Sequence, residues 1–272
     1  MSAMETAQSV RDTFDLGGRV AIVTGAGSGL GRASAEVLAG SGATVYCADV
    51  RGEAAEASAA AITAAGGAAV GRSLDVAKLA DLEFLVAEAT EAHGRLDIMC
   101  NIAGTMSEST ILELSEADLD HIMSVNLKGV LFGCQAAGRV MVSQGSGSIV
   151  NMASAAVLAP NPNIGAYAMT KSAVVQLTRT LATEIGRNAV RVNAVAPGFV
   201  PTNMTSRYYV RPDGSVDEEM KELVLAPMAK FAPLRRVGEP ADVAYCVLYL
   251  ASDASSFLTG QLISPNGGVA MH

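Results

Sequence analysis

The chain is poor in positive charge, cysteine and histidine, and it has no long apolar run. Lys and Arg number 19 against 27 Asp and Glu, a formal net charge of −8. Nucleic acid and anionic lipid both require a positive footprint, so neither is an expected partner. No stretch approaches the roughly 20 apolar residues of a membrane span. The first twenty residues lack the basic and apolar regions of a signal peptide, so a cytoplasmic protein is expected. Four cysteines (Cys47, Cys100, Cys134, Cys246) lie far apart in apolar runs, and His93, His121 and His272 are equally scattered. That pattern has no metal-ligand spacing, so no metal is expected and the thiols should be buried and reduced.

What the chain does have is 50% hydrophobic residues and 27 glycines in 272 residues, ample for a sizeable core. Short apolar runs at 20–23, 43–50, 69–74, 96–102, 148–154, 190–196 and 260–264 read as buried strands. Between them, 30–38, 53–65, 79–93, 116–144, 164–185 and 239–252 read as helices. Such alternation predicts an α/β fold: a doubly wound parallel sheet, three layers deep, in a single domain over 14–272. Residues 1–13 form a polar leader. Residues 203–236, with Pro212, Asp213 and Gly214, break the rhythm and are either a substrate lid or disordered.

Thr24-Gly-Ala-Gly-Ser-Gly-Leu-Gly31 joins the first strand to the first helix of the domain. Glycines there permit a tight turn and let backbone N–H groups approach a phosphate, and the helix N-terminus adds its positive end. Gly25, Ser28, Gly29, Leu30 and Gly31 are therefore candidate dinucleotide-binding residues. Asp49, ending the second strand, is placed to accept the adenosine ribose hydroxyls and to repel a 2′-phosphate. With no Arg or Lys at 26–29 to compensate, NAD is expected rather than NADP. The alternative for Asp49 is a simple cap of a turn or helix.

Tyr167-Ala-Met-Thr-Lys171 lies in an expected helix, where spacing i,i+4 brings the two side chains onto one face. A free phenol titrates near pH 10, and a neighbouring ammonium would lower that value. Together with the glycine turn, Asn101-Ile-Ala-Gly104, Asn126, Ser154 and Pro197-Gly198, this pair resembles the compact, single-domain branch of the short-chain dehydrogenase/reductase family. The match runs in order from about Gly18 to the C-terminus. One departure is Ile102, where the family often has a second asparagine; altered packing is expected there, with binding retained.

The resemblance implies a Rossmann-type fold, a homotetramer, and a role for each matching residue. Tyr167 would be the general acid/base. Lys171 would depress its pKa and hold the nicotinamide ribose. Ser154 would bind the substrate oxygen, and Asn126 would hold a water that links Lys171 to solvent. Asp75 and Val76 would contact adenine, with Asn101, Ala103 and Gly104 lining the cofactor cleft. Pro197, Gly198, Val200 and Thr202 would hold the nicotinamide end, Thr202 through the carboxamide. For Asn126 a structural amide, and for Ser154 a strand-end cap, are the plain alternatives.

For the substrate side, Ile102, Ala155, Ala156, Leu158 and Ile164 are the candidate pocket residues, with Met204, Leu223, Leu225 and Phe231 from the lid. This lining is mostly apolar and favours a hydrophobic secondary alcohol or ketone. The rival readings are a 3-oxoacyl carrier-protein reductase, a non-catalytic NAD-sensing regulator and a cofactor-free lyase on the same fold.

Overall fold

Buried backbone polar groups must be paired, and here seven short runs pair into one sheet, the five central ones buried and the edge strands partly exposed. The strands are β1 (Val20–Thr24), β2 (Thr44–Asp49), β3 (Ala68–Ser73), β4 (Ile98–Asn101), β5 (Gly147–Met152), β6 (Val190–Val195) and β7 (Leu262–Ile263). Their spatial order is β3-β2-β1-β4-β5-β6-β7, and every pairing is parallel. The computed structural model describes residues 3–211 and 213–271, with side chains from residue 9 onward. Pro212, His272 and the start of the polar leader thus lie outside the described residues.

Helices cover both faces. They are α1 (Ala3–Phe14), α2 (Gly29–Gly40), α3 (Gly52–Ala64), α4 (Leu79–His93), α5 (Glu116–Met123), α6 (Gly129–Gln144), α7 (Gly165–Ile185), α8 (Asn203–Ser206), α9 (Glu218–Phe231) and α10 (Pro240–Ala251). Alternate residues of each strand face opposite layers. Ala21 and Val23 pack with Leu38 of α2, Ile62 of α3 and Val243, Val247 and Leu250 of α10. Val20 and Ile22 pack instead with Leu82 and Leu85 of α4, Met141 of α6 and Val174 of α7. This is the three-layer, doubly wound, single-domain arrangement expected from the sequence. The strand order reverses between β1 and β4, and in open α/β sheets the ligand crevice lies beyond the carboxyl ends of the strands at that switch point.

Three segments differ from the sequence reading. The leader is helical as α1 from Ala3. The described residues of 203–236 form α8, a bridge between Val210 and Val216, and α9 capped by the Asp217 carboxylate on the Met220 N–H at 3.0 Å. The long helix expected over 116–144 is two helices joined by a π-helical turn, Ser124–Lys128. A π turn inserts one residue into an otherwise helical pattern and is enriched at functional sites. Here it holds Asn126 fully buried.

Candidate active site

The turn after β1 needs its glycines for space. Gly25 has φ +70°, and a Cβ there would sit 2.8 Å from Ala103 Cα; a Cβ on Gly31 would collide with the Gly25 carbonyl. Ser28, extended, is the N-cap of α2, makes no side-chain cap bond, and no acidic residue stands in the first turn. The first N–H groups of α2 are therefore offered to an anion. A close-packed glycine turn and an uncapped helix start fit a dinucleotide pyrophosphate. Thr24 ties this turn to the neighbouring strand: its hydroxyl accepts the N–H of Ile102 (3.0 Å) and of Ala103 (3.2 Å). Thr202 packs over Gly29 from the far side, 3.2 Å from where its Cβ would be.

Asp49 ends β2 nearly buried. Its Oδ2 accepts the Gly27 N–H and its Oδ1 the Arg51 N–H, each at 3.0 Å. The carboxylate thus closes the glycine turn, as the capping alternative held. Arg51, outside the 26–29 turn that carries no positive charge, sets Nε 3.5 Å from Asp49 Oδ1 and Nη2 3.2 Å from Ser28 Oγ. Asp75 and Val76 follow β3 next to this corner, since the Leu74 N–H donates to the Asp49 carbonyl at 2.9 Å. Among the described residues no group could hold a metal ion, and no helix is long and apolar enough to cross a membrane.

Beyond β4 the expected cofactor residues divide. Ala103 and Gly104 border the crevice, but the Asn101 side chain points into the core. Its Nδ2 donates to Asn151 Oδ1 at 2.8 Å, and its Oδ1 faces the Gly133 backbone without a hydrogen-bond partner. Asn101 therefore locks β4 to β5 and offers the cleft no side-chain contact. Ile102 takes a place in the core beside Val23 and Val200, not in the substrate pocket.

Lys171 and Tyr167 share one face of α7, with the ammonium 5.6 Å from the phenol ring centroid. Lys171 is nearly buried and donates to the Met152 carbonyl at 2.8 Å. Its Nζ lies 3.5 Å from where a Cβ on Gly104 would stand, so Gly25, Ala103, Gly104 and Lys171 form one continuous wall. Burial pulls the ammonium down to about 8. Burial also pushes the Tyr167 phenol above its ordinary value, and a hydrogen bond with Ser154 pulls it back. The expected acidification by Lys171 is not what opposes burial here; Ser154 is.

Ser154 follows β5, and its Oγ also caps the next turn by accepting the Ala156 N–H at 3.2 Å. That cap does not take Ser154 away from Tyr167. The Asn126 amide is spent on the chain: Oδ1 accepts the Thr105 N–H (2.8 Å), and Nδ2 donates to the Thr105 carbonyl (2.9 Å) and to Thr170 Oγ1 (3.3 Å). Those bonds make the side chain a clamp on the loop after β4, the structural amide that was the plain alternative. Pro197 accepts the Ala155 N–H at 2.9 Å, and Gly198 lies so close to Asn266 that a Cβ would approach its Cα to 2.8 Å. Thr202 starts α8 with a reciprocal cap to Thr205, and Val200 is buried.

Around Tyr167 the wall is apolar: Ile122 and Ala166, with Met106, Leu114, Ala156 and Ile164 packed against them. Met106 and Leu114 escaped the sequence reading because they sit in an irregular loop. That loop is held to 163–164 by the Ser109 N–H on the Asn163 carbonyl (2.8 Å), and to the end of α8 by a Glu108–Arg207 ion pair (2.8 Å). Leu223 and Phe231, expected over the pocket, point to solvent.

Residues 25–270 match the family described as Enoyl-(Acyl carrier protein) reductase. The 3-oxoacyl-(acyl-carrier-protein) reductase FabG of Thermotoga maritima is 35% identical over 256 residues, 94% of this chain and 99% of that protein. An NAD-dependent glycerol dehydrogenase of Listeria innocua is 36% identical over 256 residues, covering 94% and 95%. A crystal structure of a short-chain type dehydrogenase/reductase from Mycobacterium marinum superposes with a TM-score of 0.87 at 32% identity, covering 96% and 98%. With this sheet order, this crevice and relatives matched along nearly their full lengths, the chain belongs to the short-chain dehydrogenase/reductase family and is an oxidoreductase of that family.

Proposed function

We propose that the protein is an NAD-dependent dehydrogenase or ketone reductase acting on an apolar secondary alcohol or ketone. The observation that carries this reading is the single wall joining the glycine turn to Lys171, with Tyr167 and Ser154 beside it. The N-terminus of α2 would hold the pyrophosphate and Asp49 the adenosine ribose, while the 197–202 segment would flank the nicotinamide. When bound, the nicotinamide gives or takes the hydride. Ser154 holds the substrate oxygen against Tyr167, whose phenol passes the proton, and Lys171 orients the ribose. Ile122, Met106, Leu114, Ala156 and Ile164 exclude water around that phenol and suit an apolar substrate.

A panel of alcohols and ketones, read by NADH absorbance, tests the reading. Apolar secondary alcohols should be turned over faster than small polyols, and Tyr167→Phe should abolish turnover while sparing NAD binding. Equal rates on both classes would refute the apolar preference, and an active Tyr167→Phe would refute the mechanism. The likeness to FabG favours a second reading, reduction of a β-ketoacyl thioester; the NADH/NADPH rate ratio on a small β-ketoester separates the two. We further propose cytoplasmic homotetramers, for which light scattering gives the mass.

A further inference from the structure

We propose that Arg207 is a specificity-determining residue: its guanidinium, at the border of the apolar wall around Tyr167, binds the carboxylate of a substrate whose other end bears the reacting hydroxyl or ketone. Glu108 holds that place until the substrate arrives, and the preferred substrate is an apolar hydroxy or oxo acid. This rests on the reading above that the site oxidises or reduces an apolar secondary alcohol or ketone.

The loop after β4 fixes where this pair stands. Met106 packs against Tyr167, and so does Ile164, whose neighbour Asn163 accepts the Ser109 N–H through its carbonyl. Glu108 lies between those two tethers and so close to the wall. Arg207 comes from the other side, as the C-cap of α8, a helix that starts at Thr202 over Gly29 of the glycine turn. The Glu108–Arg207 contact therefore joins the substrate wall to the lid. The packed wall itself is apolar, and this pair adds charge at its border.

The guanidinium is oriented but not used up. It lies over the Tyr208 ring, 5.1 Å from the centroid, and Nη2 donates to the Tyr208 hydroxyl at 3.1 Å. Its bond to Glu108 is single, Nη2 to Oε1, whereas Arg72 and Arg236 each engage a carboxylate through two nitrogens. Arg207 Nε and Nη1 have no hydrogen-bond partner among the described residues. The two side chains are 43% and 39% exposed, and an ion pair so open to water is weak enough for another carboxylate to replace Glu108. A planar carboxylate then meets the fork by paired bonds. The protein's long-range field gives no such binding, since the chain carries −8, and the lid cations Arg211 and Arg236 are committed to Asp217 and Asp242. At the reacting end the chemistry is unchanged: on oxidation the carbinol C–H leaves as hydride to the nicotinamide, and the O–H proton passes to Tyr167.

Steady-state kinetics with NADH on the full chain test this. The substrates are 4-oxopentanoate, 6-oxoheptanoate and 9-oxodecanoate, each beside its methyl ester, with the wild type, Arg207→Gln, Glu108→Gln and the double variant. At the chain length that spans from Tyr167 to Arg207, the wild type should favour the acid over its ester by about tenfold or more in kcat/KM, the size of a charge-assisted bond. Arg207→Gln should raise KM for that acid by about tenfold or more, and shift its kcat and the ester's KM by less than about threefold. Glu108→Gln should lower the acid's KM by about threefold, because the competing carboxylate is gone, and the double variant should lose that gain. Equal losses for acid and ester in Arg207→Gln would make the pair a brace between loop and lid and overturn the inference. So would a wild type that prefers the ester, or treats the two alike, at every chain length. Failure of the wild type to reduce neutral apolar ketones as well would instead overturn the reading of the site, and this inference with it.

Discussion

Replacing Lys171 with methionine removes an ammonium that the fold buries at a cost. Its pKa is about 8 in the folded protein and about 10.4 in an unfolded chain. Below pH 8 both states carry the proton and the native state bears the whole penalty, about 3 kcal/mol. As pH rises from 8 towards 10.4 the native state sheds a proton that the unfolded state still holds, so stability rises with pH. Between about pH 7 and 9.5 the gain integrates to about 2 kcal/mol. Buried thiols act in the opposite sense: Cys47, Cys100 and Cys134 are pushed up to about 12, so the unfolded chain ionises first. They are present in both proteins and cancel in the difference. At neutral pH, Lys171→Met relieves the penalty but leaves the Met152 carbonyl without its donor, a loss of about 1–3 kcal/mol. The variant should therefore be inactive yet no less stable than the wild type, by urea unfolding at pH 7. Across the pH series the wild type should gain about 2 kcal/mol relative to the variant. Parallel stability curves would show that Lys171 is not held as a desolvated ammonium, and the argument from burial would fail.

Thr24→Val keeps the side-chain shape but removes the acceptor for two N–H groups on the loop after β4. It should cost about 2–4 kcal/mol in urea unfolding, and a cost below about 0.5 would show that those groups find other partners. Asn126→Leu should release the clamp on Thr105. Amide exchange at Thr105 should then accelerate by about tenfold or more, whereas unchanged protection would place the loop's rigidity elsewhere.

Where local chemistry dictates structure, the sequence was legible. The helix at 79–93 matches α4 residue for residue, because Leu82, Leu85, Val86 and Ala89 recur at helical spacing and Gly94 ends the run. The strands were legible because buried parallel strands are nearly continuous in apolar residues. What escaped depends on distance in space. Arg51 stands 23 residues beyond Ser28, so a search of the turn alone could not pair them. Asn101 could be placed at the crevice by its position but not aimed, since only the packing of Gly133 and Asn151 shows that its amide turns inward. The order within 203–236 was hidden because Asp217 starts α9 amid otherwise polar residues. The balance at Tyr167 was hidden because burial, which pushes its pKa up, is not visible in a spacing.

The π turn at 124–128 makes this stretch intolerant of changes in length. The wide turn already takes up one extra residue, and each residue of the regular helices beside it turns the chain by about 100°, so adding or removing one there would swing one flank round by that angle. Neither flank can follow: α5 is anchored by Ile122 against Tyr167, and α6 by Gly133 against Asn101. A loop such as 213–216, by contrast, is exposed and can absorb an added residue. Across a library of single-codon deletions and insertions, the 116–144 stretch should stand out as a gap in the surviving clones.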